Sequence, residues 1–304
     1  MSQLSRRHFL KFAGIAGAAA AGSSLLPGIT RPAHAQMNPM EGMQGTVLIT
    51  PTPAARLHTY VAPDSSNLVT SHIIETDNQL VLVDVQQLRP FAAELAAYVD
   101  SLGKPVERIY LSHEHPDHWL GAENFDAPFI STDAIAAGVQ ATIDANTLPN
   151  VLPPEVLPDT YIVPTGGLTA GSETIDGVTF EFEIVGPTEA PEQIVFRLPE
   201  ARTVILQDLL YNNAHVFPLA PDLENWVAVL EGLRGLTADG YQTMLPGHGY
   251  PTTFGEIEEA IAYLNFMGEA IATSESFEEF SNAVTTEFPG YGGTLYTFAA
   301  ALFA

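Results

Sequence analysis

Residues 113–119 read His113-Glu114-His115-Pro116-Asp117-His118-Trp119, with three histidines and an aspartate among the first six positions. They follow directly on Arg108–Ser112, a short apolar run with the character of a buried strand. Two histidines at i and i+2 cannot share a helix face. At the end of a strand, on a loop, they can converge on one point. His115 and His118 stand at i and i+3 as the chain begins to turn, and the neighbours Asp117 and His118 point to different places. The pattern therefore reads as two adjacent metal positions, one served by His113 and His115, the next by Asp117 and His118. Imidazole and carboxylate without thiolate suit zinc, manganese or iron. The chain has no cysteine, which excludes thiolate ligands, disulfides and a cysteine nucleophile. With nine histidines in 304 residues, chance assembly of the whole pattern is rare.

A metal cluster needs a scaffold, and the composition provides for one. Apolar residues make up 46% of the chain and charged residues 15%, a globular balance with ample material for a core. Eleven Lys and Arg stand against 36 Asp and Glu, for a formal charge of −25. Such a chain has little to offer the phosphates of a nucleic acid or an anionic lipid surface. The first 35 residues read differently. Arg6, Arg7 and Lys11 precede a Gly- and Ala-rich apolar stretch, which ends in Ala33-His34-Ala35. A charged start, an apolar middle and a small-residue cleavage site make residues 1–35 a signal peptide. The paired arginines followed by Phe9-Leu10-Lys11 resemble a twin-arginine export signal. That resemblance implies the twin-arginine machinery as a partner and a periplasmic or secreted protein, with membrane attachment only if the leader stays uncleaved.

Residues 36–304 read as one domain. A loose leader, Gln36–Thr52, ends in a short strand, Val47–Thr50. Apolar or β-branched runs at Leu57–Val61, Leu68–Glu75 and Leu80–Val85 follow, punctuated by turn residues. Pro90–Leu102 is an amphipathic helix with Pro in its first turn and Gly103 behind it. Asp133–Ala145 is a helix with Thr132 as N-cap, and Asn146–Thr160 is a Pro-rich surface loop. Ser172–Ile175 and Val178–Val185 flank the hairpin signal Asp176-Gly177. Ile194–Leu198 and Thr203–Gln207 form a second pair of strands. A helix over Asp222–Leu236, a strand over Tyr241–Leu245 and helices over Thr253–Thr273, Phe277–Phe288 and Leu295–Phe303 complete the chain. The last is too short to span a bilayer. Groups of strands followed by helix–strand alternation are most economically packed as two sheets with helices on their outer faces.

The His113–His118 motif after a strand resembles the signature of the metallo-β-lactamase fold superfamily, and further segments agree in order. Leu80–Asp84 is similar to the strand whose terminal Asp buttresses the metal site, which gives Asp84 that role. Gln207-Asp208 is similar to the position whose Asp bridges two metals. Pro246-Gly247-His248-Gly249 is similar to the last metal-ligand loop. The third histidine usual in the family is absent. In its place stands Gly186-Pro187-Thr188-Glu189-Ala190-Pro191, which resembles the alkylsulfatase branch, where a Glu takes that position. Glu192 is the substitute if the register differs.

The resemblance implies an α/β fold, a four-layer αβ/βα sandwich of two mixed β-sheets flanked by helices. It also implies a dinuclear site for two divalent cations, zinc above manganese or iron. His113, His115 and Glu189 hold the first, Asp117, His118 and His248 the second, and Asp208 bridges. The expected activity is hydrolysis of a small-molecule substrate by a metal-bound hydroxide, with Asp117 or Asp208 orienting the water. Sulfate esters or other small esters are the first substrates to consider, with lactones as the alternative. A non-catalytic exported metal-binding accessory protein is the competing class. His215, in the segment after Asp208, and Trp119, beside the motif, are candidates for the pocket wall. His58 and His72 read as hydrogen-bonded structural residues.

Overall fold

The computed structural model describes residues 35–37, 40–217, 222–293 and 303. The leader up to His34 and most of the expected helix Leu295–Phe303 lie outside the described residues. Among the described residues no helix is long and apolar enough to cross a membrane.

Seven strands form the first sheet in the order β1 (Ala35–Met37), β2 (Thr46–Pro51), β3 (Arg56–Val61), β4 (Thr70–Glu75), β5 (Leu80–Val83), β6 (Val106–Tyr110) and β7 (Phe129–Ile130). The pairs are antiparallel from β1 to β5 and parallel from β5 to β7. Part of the loose leader is thus an edge strand. The second sheet runs β12 (Thr243–Gly249), β11 (Thr203–Asn212), β10 (Gln193–Leu198), β9 (Val178–Val185) and β8 (Gly171–Ile175). Only its β11–β12 pair is parallel. The expected hairpin across Asp176-Gly177 joins β8 and β9, with both turn residues at positive φ, 47° and 83°, as a type I′ turn demands.

Alternation along the strands decides what they bury. Ile205 of β11 and Leu245 of β12 join the core between the sheets, with Tyr110, Phe180 and Phe196. Their neighbours Val204, Leu206 and Met244 face a second core beneath the C-terminal helices. Those helices are α3 (Leu223–Leu233), α4 (Glu256–Thr273) and α5 (Phe277–Glu287). They contribute Trp226, Leu230, Leu264, Met267 and Phe280. The other flank carries α1 (Arg89–Ser101) and α2 (Asp133–Ala145), through Leu95, Val99, Ile135 and Val139. The result is two mixed sheets flanked by helices.

Caps fix several boundaries. Thr132 accepts a hydrogen bond from the Ile135 N–H, and Asp222 from the Asn225 N–H, each satisfying a donor the helix leaves open. The helix expected over Asp222–Leu236 tightens to a 3-10 turn after Leu233. The segment Asn146–Thr160, expected as a surface loop, contains one helical turn, Leu148–Val151, and a 3-10 turn, Pro154–Val156. Arg89 binds Leu157 and Asp159 from α1, and Glu123 accepts from the N–H groups of Asp159 and Thr160.

Candidate metal centre

The centre lies beyond the ends of β5 and β6, against the second halves of β11 and β12. After Val83 the chain turns through Asp84 at φ 59°, a left-handed conformation that strains a residue with a side chain. The turn aims a wholly buried carboxylate across the sheet. Its Oδ1 accepts the Ser112 N–H at 2.8 Å, and its Oδ2 accepts the Ser112 hydroxyl at 2.7 Å and His118 Nδ1–H at 2.8 Å. Gln207 donates to the same oxygen. Ser112 Oγ in turn accepts from His113 Nδ1, 2.8 Å away. With Nδ1 engaged, the Nε2 atoms of both His113 and His118 are left to face inward.

β6 ends at Tyr110, two residues before the expected end, and the motif continues into a 3-10 turn, Pro116–His118. The turn brings Asp117 and His118 beside His248, with His248 Nε2 3.3 Å from Asp117 Oδ2. His115 Nδ1 lies 2.8 Å from Glu189 Oε1. Glu189 comes from the β9–β10 connection, where Thr188 N–H bonds the Ala190 carbonyl. Glu192 instead accepts from the Thr132 hydroxyl, so the two acids of this segment serve different places.

Asp208 sits between the two groups. Its Oδ1 is 3.1 Å from His118 Nε2, and its Oδ2 is 3.6 Å from His113 Nε2 and 3.4 Å from His248 Nε2. The sequence reading ends this strand at Gln207 and places Leu209–Phe217 in a loop. Instead β11 runs on to Asn212, every residue buried. Its parallel register with β12 slips after Gln207. Gln207 faces Pro246, yet Tyr211, four residues on, faces His248, only two on. This bulge turns Asp208 and Tyr211 to one side, which a regular strand would not do for residues three apart. The Tyr211 hydroxyl donates to Asp208 Oδ2 at 2.6 Å. Its ring lies parallel to that of His248, with centroids 4.5 Å apart. The Pro-Gly-His-Gly segment is likewise strand rather than loop. A side chain at Gly247 would meet Asp208 Oδ1 at 1.9 Å, and one at Gly249 would meet the Asn212 carbonyl at 1.8 Å.

Two sets of potential ligand atoms result, each with all its atoms within 4.8 Å of one another. One is His113, His115, Glu189 and Asp208; the other is Asp117, His118, Asp208 and His248. Asp84 also groups with His113 and His118, but it engages their outer side as described. His113 Nε2, His118 Nε2, His248 Nε2, both Glu189 oxygens and Asp208 Oδ1 are buried and form no hydrogen bond. Their nearest contacts are within the cluster, Glu189 Oε1 with His115 Nδ1 at 2.8 Å and Asp208 Oδ1 with His118 Nε2 at 3.1 Å. Burial holds His113 well below the usual imidazole range and pushes Glu189 up to about 7. Burial opposes ionisation of Asp208 too, but His118 and His248 outweigh it and hold that carboxyl well below its ordinary value.

The remaining candidates fall outside the cluster. Trp119 is buried, donates its indole N–H to the Glu114 carbonyl and meets Tyr161 edge-on. His215 bonds the Tyr263 hydroxyl at 3.0 Å and packs near Tyr291. His58 pairs with Tyr98 and Glu75, and His72 with Thr59 and the Pro246 carbonyl. Sequence reasoning missed Ser112, Gln207 and Tyr211. It also missed Phe217, whose ring lies edge-on to His115.

Comparison with known proteins agrees with this geometry. A model of the metallo-beta-lactamase superfamily matches residues 67–248, a span that contains both ligand sets and Asp84. A model of the twin-arginine translocation pathway signal sequence matches residues 3–23, so the leader is an export signal of that type. The linear primary-alkylsulfatase of Pseudomonas sp. (strain ATCC 19151) is 28% identical over 268 residues, covering 68% of this chain and 49% of the relative. The chain thus spans about half the length of that protein. Among solved structures, a metallo-beta-lactamase from Pontibacter korlensis is 18% identical with a TM-score of 0.55, over 72% of this chain and 99% of the other. The mono-zinc form of the metallo-beta-lactamase FIM-1 from Pseudomonas aeruginosa is 17% identical at 0.53, over 75% and 97%. The inverting sec-alkylsulfatase Pisa1 from Pseudomonas sp. is 19% identical at 0.53, over 70% and 40%. At these identities the structural likeness bears on the fold. The chain belongs to the metallo-β-lactamase superfamily.

Proposed function

We propose that this protein is a metal-dependent hydrolase of small esters, exported to the periplasm or beyond. Its centre takes two divalent cations, with zinc ahead of manganese or iron. His113, His115 and Glu189 hold one, Asp117, His118 and His248 hold the other, and Asp208 is shared. The observation that carries this reading is the convergence of buried imidazole and carboxylate atoms that form no hydrogen bond. Each unsatisfied buried polar atom costs about 1–3 kcal/mol. Several in one place are tolerable only where a cation satisfies them together, and nitrogen and oxygen donors without sulfur fit such ions. Cations bound there supply Lewis acidity toward the ester and acidify water.

The residues around them have separable tasks. Asp84 and Ser112 fix the ring orientation of His113 and His118. Asp117 and His115 are the partly exposed members of the cluster, so substrate reaches the centre from their side. Asp117 and Asp208 are the carboxylates available to orient an attacking water and accept its proton.

Sulfate esters are favoured by the Thr188-Glu189-Ala190-Pro191 segment and by the alkylsulfatase relative. A second reading, carboxylic esters or lactones, is favoured by where the cationic side chains lie. Arg56 and Lys104 pair with Glu75, Arg89 with Asp159, Arg108 with Glu173, Arg197 with Glu183 and Arg234 with Glu258. None of these pairs includes a member of the centre, and an anionic ester is ordinarily gripped by Arg or Lys.

Matched substrates with one leaving group, p-nitrophenyl sulfate and p-nitrophenyl acetate, together with a lactone panel, separate the readings in metal-replete protein. Turnover of at least one class, reduced about 100-fold or more by Asp208→Asn, is the expected result. No turnover of any class by folded, metal-loaded protein contradicts hydrolysis and leaves an exported metal-binding protein.

A further inference from the structure

The two ligand sets are not braced alike. In the set Asp117, His118, Asp208 and His248, two of the three residues particular to it are held from behind, and so is Asp208, which both sets share. His118 Nδ1 donates to Asp84 Oδ2 at 2.8 Å, His248 Nδ1 to the Asn67 carbonyl at 2.8 Å, and Asp208 Oδ2 accepts from Tyr211 at 2.6 Å. The Tyr211 ring, parallel to that of His248 within 5°, fixes the imidazole plane as well. The chain is strained to achieve this. Asn67 and Leu68 stand in succession at φ 54° and 56°, a conformation that Asn tolerates and a bulky residue such as leucine rarely adopts. In that conformation the Asn67 carbonyl meets His248 and the Leu68 carbonyl accepts the Gly249 N–H at 2.9 Å. Asp208 and His248 also lie on paired strands, which hold side chains more firmly than loops do.

Of the three residues particular to the other set, only His113 is comparably held, through Ser112. Both Glu189 oxygens lack a hydrogen bond, and Glu189 sits on a connection between strands. His115 meets Glu189 through Nδ1, and its side chain is 15% exposed.

Ligands held from behind lose less freedom when a cation arrives, and removing such a brace typically costs 10–100-fold in metal affinity. We propose that the two positions fill in order: the Asp117–His118–Asp208–His248 position first and tightly, the His113–His115–Glu189 position second and weakly. The ring of Tyr211, stacked on His248, is the positioning group that belongs to the first position alone. This inference rests on the metal centre proposed above.

The test is a zinc titration of the metal-stripped protein against a chromophoric chelator, which resolves stepwise dissociation constants without reference to activity. Wild type should show two distinct steps. Tyr211→Leu, compared with Tyr211→Phe, which keeps the ring and loses only the brace on the shared Asp208, should weaken the tighter step a further tenfold or so and leave the weaker within about twofold. Glu189→Gln should do the reverse. Loss of the tighter step in Glu189→Gln, or a tighter step no weaker in Tyr211→Leu than in Tyr211→Phe, overturns the order while the metal centre stands. Folded wild type that binds no zinc overturns the centre and the order with it. Crystals of wild type grown with one equivalent of zinc give a check independent of how the variants fold. Anomalous scattering should place the ion at Asp117, His118 and His248, and an ion at His113, His115 and Glu189 overturns the proposal.

Discussion

Asp84 shows how much of the site depends on residues that would touch no metal. Its carboxylate accepts from Ser112 twice, from His118 and from Gln207, so one side chain orients both histidines of the buried wall. Ser112→Ala breaks the link between His113 and Asp84 without replacing a proposed ligand. It should cost about 1–3 kcal/mol by leaving His113 Nδ1 buried without a partner, read as a lower urea midpoint. Asp84→Asn should leave the fold intact and weaken metal binding at least about tenfold, measured by chelator competition. An unchanged affinity would make Asp84 merely structural. Four proposed ligands were visible in the sequence because few residue types bind cations and His113, His115, Asp117 and His118 stand within six residues; Glu189, Asp208 and His248 were placed by the resemblance. Ser112, Gln207 and Tyr211 were not visible, because hydroxyl and amide side chains occur everywhere. Only the pairing of distant strands shows which of them meet a carboxylate.

Strands β11 and β12 set the centre's geometry, and here the sequence misleads most. Asp208 and the pair Asn212-Asn213 look like strand breakers, so β11 is read five residues short. The tertiary environment overrides that preference, because Leu209 and Leu210 are buried within the core under the C-terminal helices. The bulge after Gln207 carries Asp208 and Tyr211 to one side, and the absence of a side chain at Gly247 makes room for the Asp208 carboxylate. Gly247→Ala should displace Asp208, because its new methyl would stand 1.9 Å from Oδ1 and 2.7 Å from the Gln207 carbonyl carbon. Loss of at least one metal equivalent is expected, with destabilisation of about 1–3 kcal/mol from overpacking. A Gly247→Ala protein with wild-type metal content would contradict the close approach. Helices were read more accurately than these strands. The bounds of α2, Asp133–Ala145, coincide with the expectation, since Thr132 and its N-cap bond terminate the helix locally.

The whole chain is acidic, yet its described Lys and Arg side chains largely pair with acids remote from the centre, and burial holds His58, His72 and His215 toward the neutral form. His72 is buried between the sheets' ends against Thr59, Thr70 and the Pro246 carbonyl. Burial lowers its pKa to about 4. An unfolded chain takes up that proton below about pH 6.5, whereas the folded protein resists it until about pH 4. Stability therefore falls as the pH drops through this window, by about 2 kcal/mol at pH 5 for this residue alone. Urea unfolding at pH 7 and pH 5 should show a smaller pH-dependent loss in His72→Gln than in wild type. An equal loss in both would place the acid sensitivity elsewhere. Two packed sheets with helices on their outer faces were legible from the succession of apolar runs and turns; the order of strands within each sheet was not. The bracing that distinguishes the two ligand sets was not, because it joins residues as distant as Asn67 and His248.

The central claim is that His113, His115, Asp117, His118, Glu189, Asp208 and His248 form one metal centre. It is tested most directly by elemental analysis of the folded, exported protein, never exposed to chelator, beside Glu189→Ala. The account predicts two divalent ions per chain in the wild type and about one in the variant. Two ions in both would remove Glu189 from the ligand set, and none in the wild type would contradict the metal centre itself.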